Sequence, residues 1–244
     1  MTLEAERRAT TRSTDTDRIR QPRWPIYSMA FSILVLPIAF LTFNPAWFDR
    51  PVTMALNNLI RDWQLANDFA VALAYPTLEG VIVVSLLWCC WFSGITVESR
   101  ARILRGAVTA VFAGIIAEFV AVTPFPNSPH FPSERAAMFA GLAIAVFLIR
   151  PKLGLLAIGC TLVVGVSHVC LGLHRPTDIL GSFCLAAALV CLAQMQLGSA
   201  LGRRLMRWEA ASGSTFYMCA FFSSYLVSTA FQDLRPLTSK FLRL

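Results

Sequence analysis

Apolar positions along this chain do not alternate with polar ones. They gather into long unbroken runs separated by short polar segments. Runs of this kind predict helices over 25–43, 77–95, 103–123, 133–149, 153–173 and 176–200, each close to the roughly 20 residues that carry a helix through hydrocarbon. The 133–149 run is short and leaves little slack. A further stretch, 216–231, is also short and carries Ser223, Ser224 and Ser228, so it either spans or lies at the interface. Open strands are excluded from lipid because their backbone groups would go unpaired. The expected fold is an all-α integral membrane protein with six transmembrane helices, or seven if the last stretch crosses.

Two segments break the pattern. Residues 1–24 are polar and Arg-rich, with no small-residue cleavage site after the first apolar run, and read as a mobile cytoplasmic tail rather than a signal peptide. Glu4, Glu6, Asp15 and Asp17 are mixed into this tail, which argues against a nucleic-acid arm. Residues 47–75 combine Asp49, Arg50, Arg61, Asp62 and Asp68 with Val52, Leu56, Leu59, Ile60, Trp63 and Leu65. That mixture fits an amphipathic helix lying on the outer surface, with a plain folded loop as the other reading. Beyond the sixth run, 201–244 holds a basic segment and the seventh apolar stretch.

Composition agrees: 56% of the 244 residues are hydrophobic, 14% are charged, and the mean hydropathy is +0.61. A soluble domain of this size needs more charge to cover its surface. The net charge of +7 is explained by topology. Arg7, Arg8, Arg12, Arg18, Arg20 and Arg23 share one side with the arginines at 100, 102 and 105, with Arg150 and Lys152, and with the arginines at 203, 204 and 207. The opposite side carries fewer cations: Arg50, Arg61, Arg135, Arg175 and, if the last stretch crosses, Arg235, Lys240 and Arg243. Cytoplasmic loops collect Lys and Arg, so the N-terminus is expected inside, and the connections before 133 and before 176 outside. All seven cysteines lie in apolar runs, with no metal-binding spacing, and read as small residues in helix contacts.

The candidate chemistry sits in those two outer connections, in or beside which fall all three histidines, His130, His168 and His174. In the stretch from Ser167 to Asp178, Pro176 suits the first turn of a helix. Asp178 follows His174 by four residues, one helical turn, which brings a carboxylate under the imidazole. A carboxylate on one ring nitrogen fixes the tautomer and raises the basicity of the other, as a nucleophilic histidine requires. The plainer reading is an aspartate capping a helix beside a surface histidine. In the second segment Ser133, after Pro132, is a good N-cap, and a helix start offers N–H groups and a positive dipole end to an anion. Arg135 adds a permanent cation there, unless it merely snorkels to the interface. His130 is either a spare acid or an exposed loop histidine, and Arg175 either a rim contact for a lipid phosphate or a surface charge.

Together these segments resemble the type 2 phosphatidic acid phosphatases, lipid phosphatases related to the vanadium haloperoxidases. That family's third motif, S-R-x5-H-x3-D, is matched by Ser167, His174 and Asp178, and its second, P-S-G-H or P-S-D-H, by Pro132 and Ser133. Phe48-Asp49-Arg50-Pro51, Leu56-Asn57 and the stretch from Gly80 to Phe92 are similar to the bacterial subgroup that contains undecaprenyl pyrophosphate phosphatases. The resemblance covers about 45–200 and implies a phosphatase-like membrane domain over 25–200. It also implies a site at the exterior or periplasmic face of a bacterial inner membrane, and a metal-free mechanism without cofactors. Its substrate is a lipid phosphate or pyrophosphate drawn from the bilayer, and no nucleic-acid partner is expected. In that scheme His174 attacks phosphorus and becomes a phosphohistidine, Asp178 orients it, and Ser133 with helix-start N–H groups holds phosphate oxygens. No pattern fixes an oligomeric state.

The departures fall at chemical positions. Arg135 stands where the family has the histidine that protonates the leaving group, and His168 where it has a phosphate-binding arginine. The exchange is reciprocal and predicts that Arg135 clamps phosphate while His168 supplies or relays the proton. The first motif, K-x6-R-P, is degenerate. Pro124-Phe125-Pro126-Asn127-Ser128-Pro129 leaves Asn127 and Ser128 as uncharged donors to phosphate, and the expected lysine near Ala121 is missing. Beyond Arg105 at its start, Glu118 is the one charge in the 103–123 run and is expected to pair with Arg135, since an acid in lipid needs a partner. These losses keep two alternatives open: a catalytically altered relative that binds a lipid head group or supports another membrane enzyme, and one that transfers a phosphoryl group to a lipid or glycan acceptor. A channel or transporter is less well supported, because no paired broken helices appear.

Overall fold

Each apolar run among the described residues folds as helix, because only a helix pairs every backbone group within its own segment. The computed structural model describes residues 45–122, 131–194 and 199–229. The expected tail at 1–24 and the first predicted span, 25–43, lie outside these residues, as do His130, Asn127 and Ser128. Nine helices make up the described part: α1 Pro45–Arg61, α2 Gln64–Leu73, α3 Pro76–Phe92, α4 Val97–Val122, α5 Glu134–Phe147, α6 Pro151–Cys170, α7 Pro176–Gln194, α8 Ser199–Ala211 and α9 Gly213–Ser228. No strand occurs among the described residues. The cysteines are all free, with Cys90, Cys170 and Cys191 buried.

The centre of the bundle is α5, enclosed by α3, α4, α6 and α7. It is apolar around its whole circumference and buries residues from Ala136 to Val146 on every face, the expected state of a helix with no polar side. Its closest partner is α4, and the approach depends on small residues. A Cβ on Gly106 would meet the Ala145 Cβ at 2.4 Å, and a Cβ on Gly141 would meet the Ala110 Cβ at 2.8 Å. Small residues at such crossings let two backbones close up, which is how helices associate where burial from water supplies no drive. Val83, Ala110, Met138, Phe139 and Leu142 fill the space where α3, α4 and α5 meet.

The six or seven expected spans are met in part. Among the described residues, three helices are long and apolar enough to cross a membrane: Val97–Val120 within α4, all of α6 and all of α7. A fourth crossing forms if α2 and Thr77–Phe92 are taken as one element bent by 54°, with Pro76 at the start of α3. Helices α3, α5 and α9 have 17, 14 and 16 residues and fall short of a full crossing on their own. Helix α5 is covered by protein on every side as it runs from one end of the bundle to the other. The predicted amphipathic segment 47–75 is two helices, α1 and α2, broken at residues 62–63. It turns Trp47, Leu59 and Trp63 outward while burying Asp49 and Ile60. The described part is therefore all-helical and membrane-embedded.

Because successive helices run up and down, the bundle has two polar ends. One gathers the start of α3, α5 and α7, the end of α6 and of α9, and the α1–α2 pair. The other gathers the α3–α4 and α5–α6 turns and α8, where Arg150 donates to the Ser93 carbonyl at 2.9 Å and Arg100 reaches Glu209 at 3.3 Å.

Candidate active site

The end of α6 and the start of α7 build the first half of the site. Helix α6 closes in a Schellman motif. Gly172, with φ +70°, takes the left-handed position, its N–H donates to the Val169 carbonyl at 3.0 Å, and the Leu173 N–H donates to the His168 carbonyl at 2.9 Å. Only glycine enters this conformation at no steric cost. The turn points the chain back on itself, so that the His168 and His174 rings meet edge to face with centroids 5.5 Å apart. Pro176 then opens α7, as its fixed φ and missing N–H favour.

Asp178 is buried and does two things. Its Oδ2 accepts the Arg175 backbone N–H at 2.9 Å, reaching back to cap α7, and lies 4.0 Å from His174 Nδ1. The second distance is within ion-pair reach and longer than a hydrogen bond. Asp178 thus caps the helix and stands beside the imidazole. Its approach to Nδ1 leaves Nε2 as the ring nitrogen turned from the carboxylate.

Ser133 is the N-cap of α5, as the sequence predicted, with its Oγ accepting from the Ala136 N–H at 3.5 Å. An N-cap of this type contributes about 1 kcal/mol. The two helix starts are joined by Ser182, which the sequence did not single out. Its hydroxyl lies 2.7 Å from the Asp178 carbonyl, to which it donates, and 2.9 Å from the Ser133 carbonyl. Asp49 provides a second tie: its Oδ1 accepts the Thr177 N–H at 3.0 Å and its Oδ2 the Thr177 hydroxyl at 2.7 Å. Two carboxylates, Asp49 and Asp178, therefore occupy the positive end of α7. Asn57 of α1 adds a bond from its Nδ2 to the Cys170 carbonyl at 2.9 Å, fixing α1 against the turn that carries His174.

Arg135 is half-buried in the first turn of α5, where its charge acts on both His168 and Glu79. His168 is buried, and its Nε2–H donates to the Ala74 carbonyl at 3.2 Å. A carbonyl can only accept, so this bond assigns the Nε2 proton and leaves Nδ1 as the ring nitrogen available to a neighbour. The expected pairing of Arg135 with Glu118 is overturned: Glu118 is exposed near the end of α4, whereas Glu79 is 3% exposed in the first turn of α3. Glu79 and Arg135 act on each other through space, with no direct ion pair to either among the described residues. The sequence reading passed over Glu79 because it sits at the edge of an apolar run, where an acid reads as a solvated helix start. Its only sequence-level signal was its place at the membrane entrance of a span.

Of the residues singled out from the sequence, His168, His174, Asp178, Ser133 and Arg135 come together at one end of the bundle. Asn127 and Ser128 fall outside the described residues. Among the described residues no three His, Cys, Asp or Glu side chains gather closely enough to hold a metal ion. No family model, curated protein or solved structure matches this chain. The case for its chemistry rests on the geometry of these side chains.

Proposed function

We propose that the chain is a membrane phosphohydrolase that removes phosphate from a lipid phosphate or pyrophosphate, with a phosphohistidine as intermediate. One observation carries the reading: a histidine with a buried carboxylate at its Nδ1 side stands ring to ring with a second histidine, at the end of the bundle where Ser133 caps α5. In the first step His174 Nε2 attacks phosphorus, an N–P bond forms, the P–O bond to the lipid breaks, and the leaving oxygen takes a proton. Asp178 stabilises the positive charge that develops on the ring. His168 takes up a proton at Nδ1 from solvent as the anionic phosphate binds, and supplies it from there while Ala74 holds its Nε2–H. In the second step water attacks phosphorus, the N–P bond breaks, phosphate leaves, and the proton shed by water returns to His168. Arg135 and the α5 start hold the phosphate oxygens. The bias of cations toward the opposite end supports a site facing outward from a bacterial inner membrane.

Phosphate release by the detergent-purified protein tests this. Release from undecaprenyl pyrophosphate or phosphatidic acid that disappears in His174→Ala supports it, and equal release by both proteins sinks it. A second reading, a relative that binds a lipid phosphate without cleaving it, is favoured by the carboxylates that surround the cations here. Glu79 opposes Arg135, and Asp49 and Asp178 fill the α7 start. Binding without release, in protein shown to be folded, would select that reading. Release that requires an added lipid or glycan acceptor would mark a transferase.

A further inference from the structure

The basic end of the bundle carries a feature unrelated to the histidines. Amphipathic α8 joins α7 to α9 and packs on the start of α4, where Gly202 admits the Arg105 side chain and a Cβ would meet the Arg105 Cδ at 3.3 Å. Arg105 is only 6% exposed. Among the described residues its one hydrogen bond runs from Nε to the Ala101 carbonyl of its own helix at 3.4 Å. The charges that act on it are Arg102, Glu98 and Arg203, so two of its three charged neighbours repel it. Glu98 is itself engaged by Arg102 at 3.1 Å, and Glu209 by Arg100. Among the described residues, no carboxylate lies in ion-pair contact with Arg105, Arg203, Arg204 or Arg207. A buried guanidinium without an anion is costly, and this one sits in a cationic neighbourhood.

At the same end of the bundle, a cavity of about 200 Å³ opens between α3, α4, α8 and α9, with Leu104 and Leu205 in its wall. Trp88, Trp91, Leu104, Leu205, Trp208 and Phe216 give it an apolar wall. Two of the polar atoms in its wall are engaged: Trp88 Nε1 donates to Ser224 Oγ at 3.0 Å, and that hydroxyl donates to the Ala220 carbonyl at 2.8 Å. The cavity wall suits an apolar chain, and the arginines at this end suit an anion.

We propose that this end binds an anionic phospholipid of the bilayer, one acyl chain lying in the Trp88–Trp91–Trp208 cavity and the phosphate set against Arg105 and Arg203. Charge complementarity selects an anionic head group over a zwitterionic one, and basic pockets between membrane helices take such groups. The site lies at the opposite end of the bundle from His174, so it is a binding site for a structural or regulatory lipid and not part of the hydrolytic machinery.

Three of the six tryptophans line the cavity, and replacing Trp24, Trp47 and Trp63 by Phe in every protein compared makes their fluorescence the probe. The full-length protein is placed in phosphatidylcholine vesicles with a small fraction of lipid brominated in its acyl chains, either phosphatidylglycerol or phosphatidylcholine. The phosphatidylglycerol probe is expected to quench about fivefold more effectively, the effect of roughly 1 kcal/mol for one arginine at a membrane surface. Arg105→Gln should erase that preference, and Arg203→Gln, at an exposed position that tolerates change, should halve it or more. Ala220→Leu, which fills the cavity, should lower quenching by both lipids. Equal quenching by the two lipids in the wild type overturns the proposal, as does a preference that survives both arginine substitutions.

Discussion

The two ends of this bundle hold charge in opposite ways. At the histidine end, three ionisable groups are buried and engaged at close range: Asp49 with Thr177, Asp178 with Arg175, His168 with Ala74. At the arginine end, the cations other than buried Arg105 are half-exposed or exposed, with loose partners such as the 3.3 Å contact between Arg100 and Glu209. The same helices supply both ends, so the difference lies in what each end must do. Exposed cations need only water, lipid head groups and an occasional carboxylate, and each pair contributes little. Buried groups must be satisfied by the fold itself, since an orphaned one costs several times more. Fixed orientation follows from that satisfaction, and fixed orientation is what a nucleophilic histidine uses.

Asp178→Asn breaks the histidine end most informatively. An asparagine oxygen still accepts the Arg175 N–H, so the cap and the melting temperature should change little. The charge facing His174 is lost, and phosphate release should fall about 10³-fold or more, as when the orienting aspartate of a triad is replaced. A comparable loss of stability would show that capping is the residue's whole role. Glu79→Gln removes the negative neighbour of Arg135 and should strengthen phosphate binding. We expect KM to fall about fivefold, near 1 kcal/mol for one nearby charge, with kcat within about twofold. Loss of kcat instead would make Glu79 a proton-transfer group. The smallest effect belongs to the other end. Arg100→Gln should lower stability by less than about 1 kcal/mol, or a melting shift of roughly 2–4 °C, and leave phosphate release in detergent unchanged.

The contrast also marks what the sequence can convey. Helix positions were legible because apolar runs, the Ser133 cap, the glycine at 172 and Pro176 are local signals, and each helix start or stop depends on residues within one turn. The His174–Asp178 approach was legible for the same reason. What covers each apolar run was not, because lipid and protein leave the same pattern, and α5 is covered by protein on every side. Nor were Glu79, Ser182 and the Asp49–Thr177 tie legible. Each works through a partner far away in sequence, and choosing Glu118 over Glu79 as the neighbour of Arg135 required knowing which face of each helix turns inward. The loop holding Asn127 and Ser128 lies outside the described residues, so their expected part in phosphate binding stands as a proposal.

The most direct measurement is to trap the enzyme during turnover of radiolabelled lipid pyrophosphate and assay the denatured protein for bound phosphate. A phosphohistidine is stable to base and labile to acid, which distinguishes it from a phosphoserine. The geometry predicts label on the wild type, removed by acid, present in Glu79→Gln and absent from His174→Ala. Phosphate release without any trapped label, or label that persists in His174→Ala, would contradict the assignment of His174 as the nucleophile.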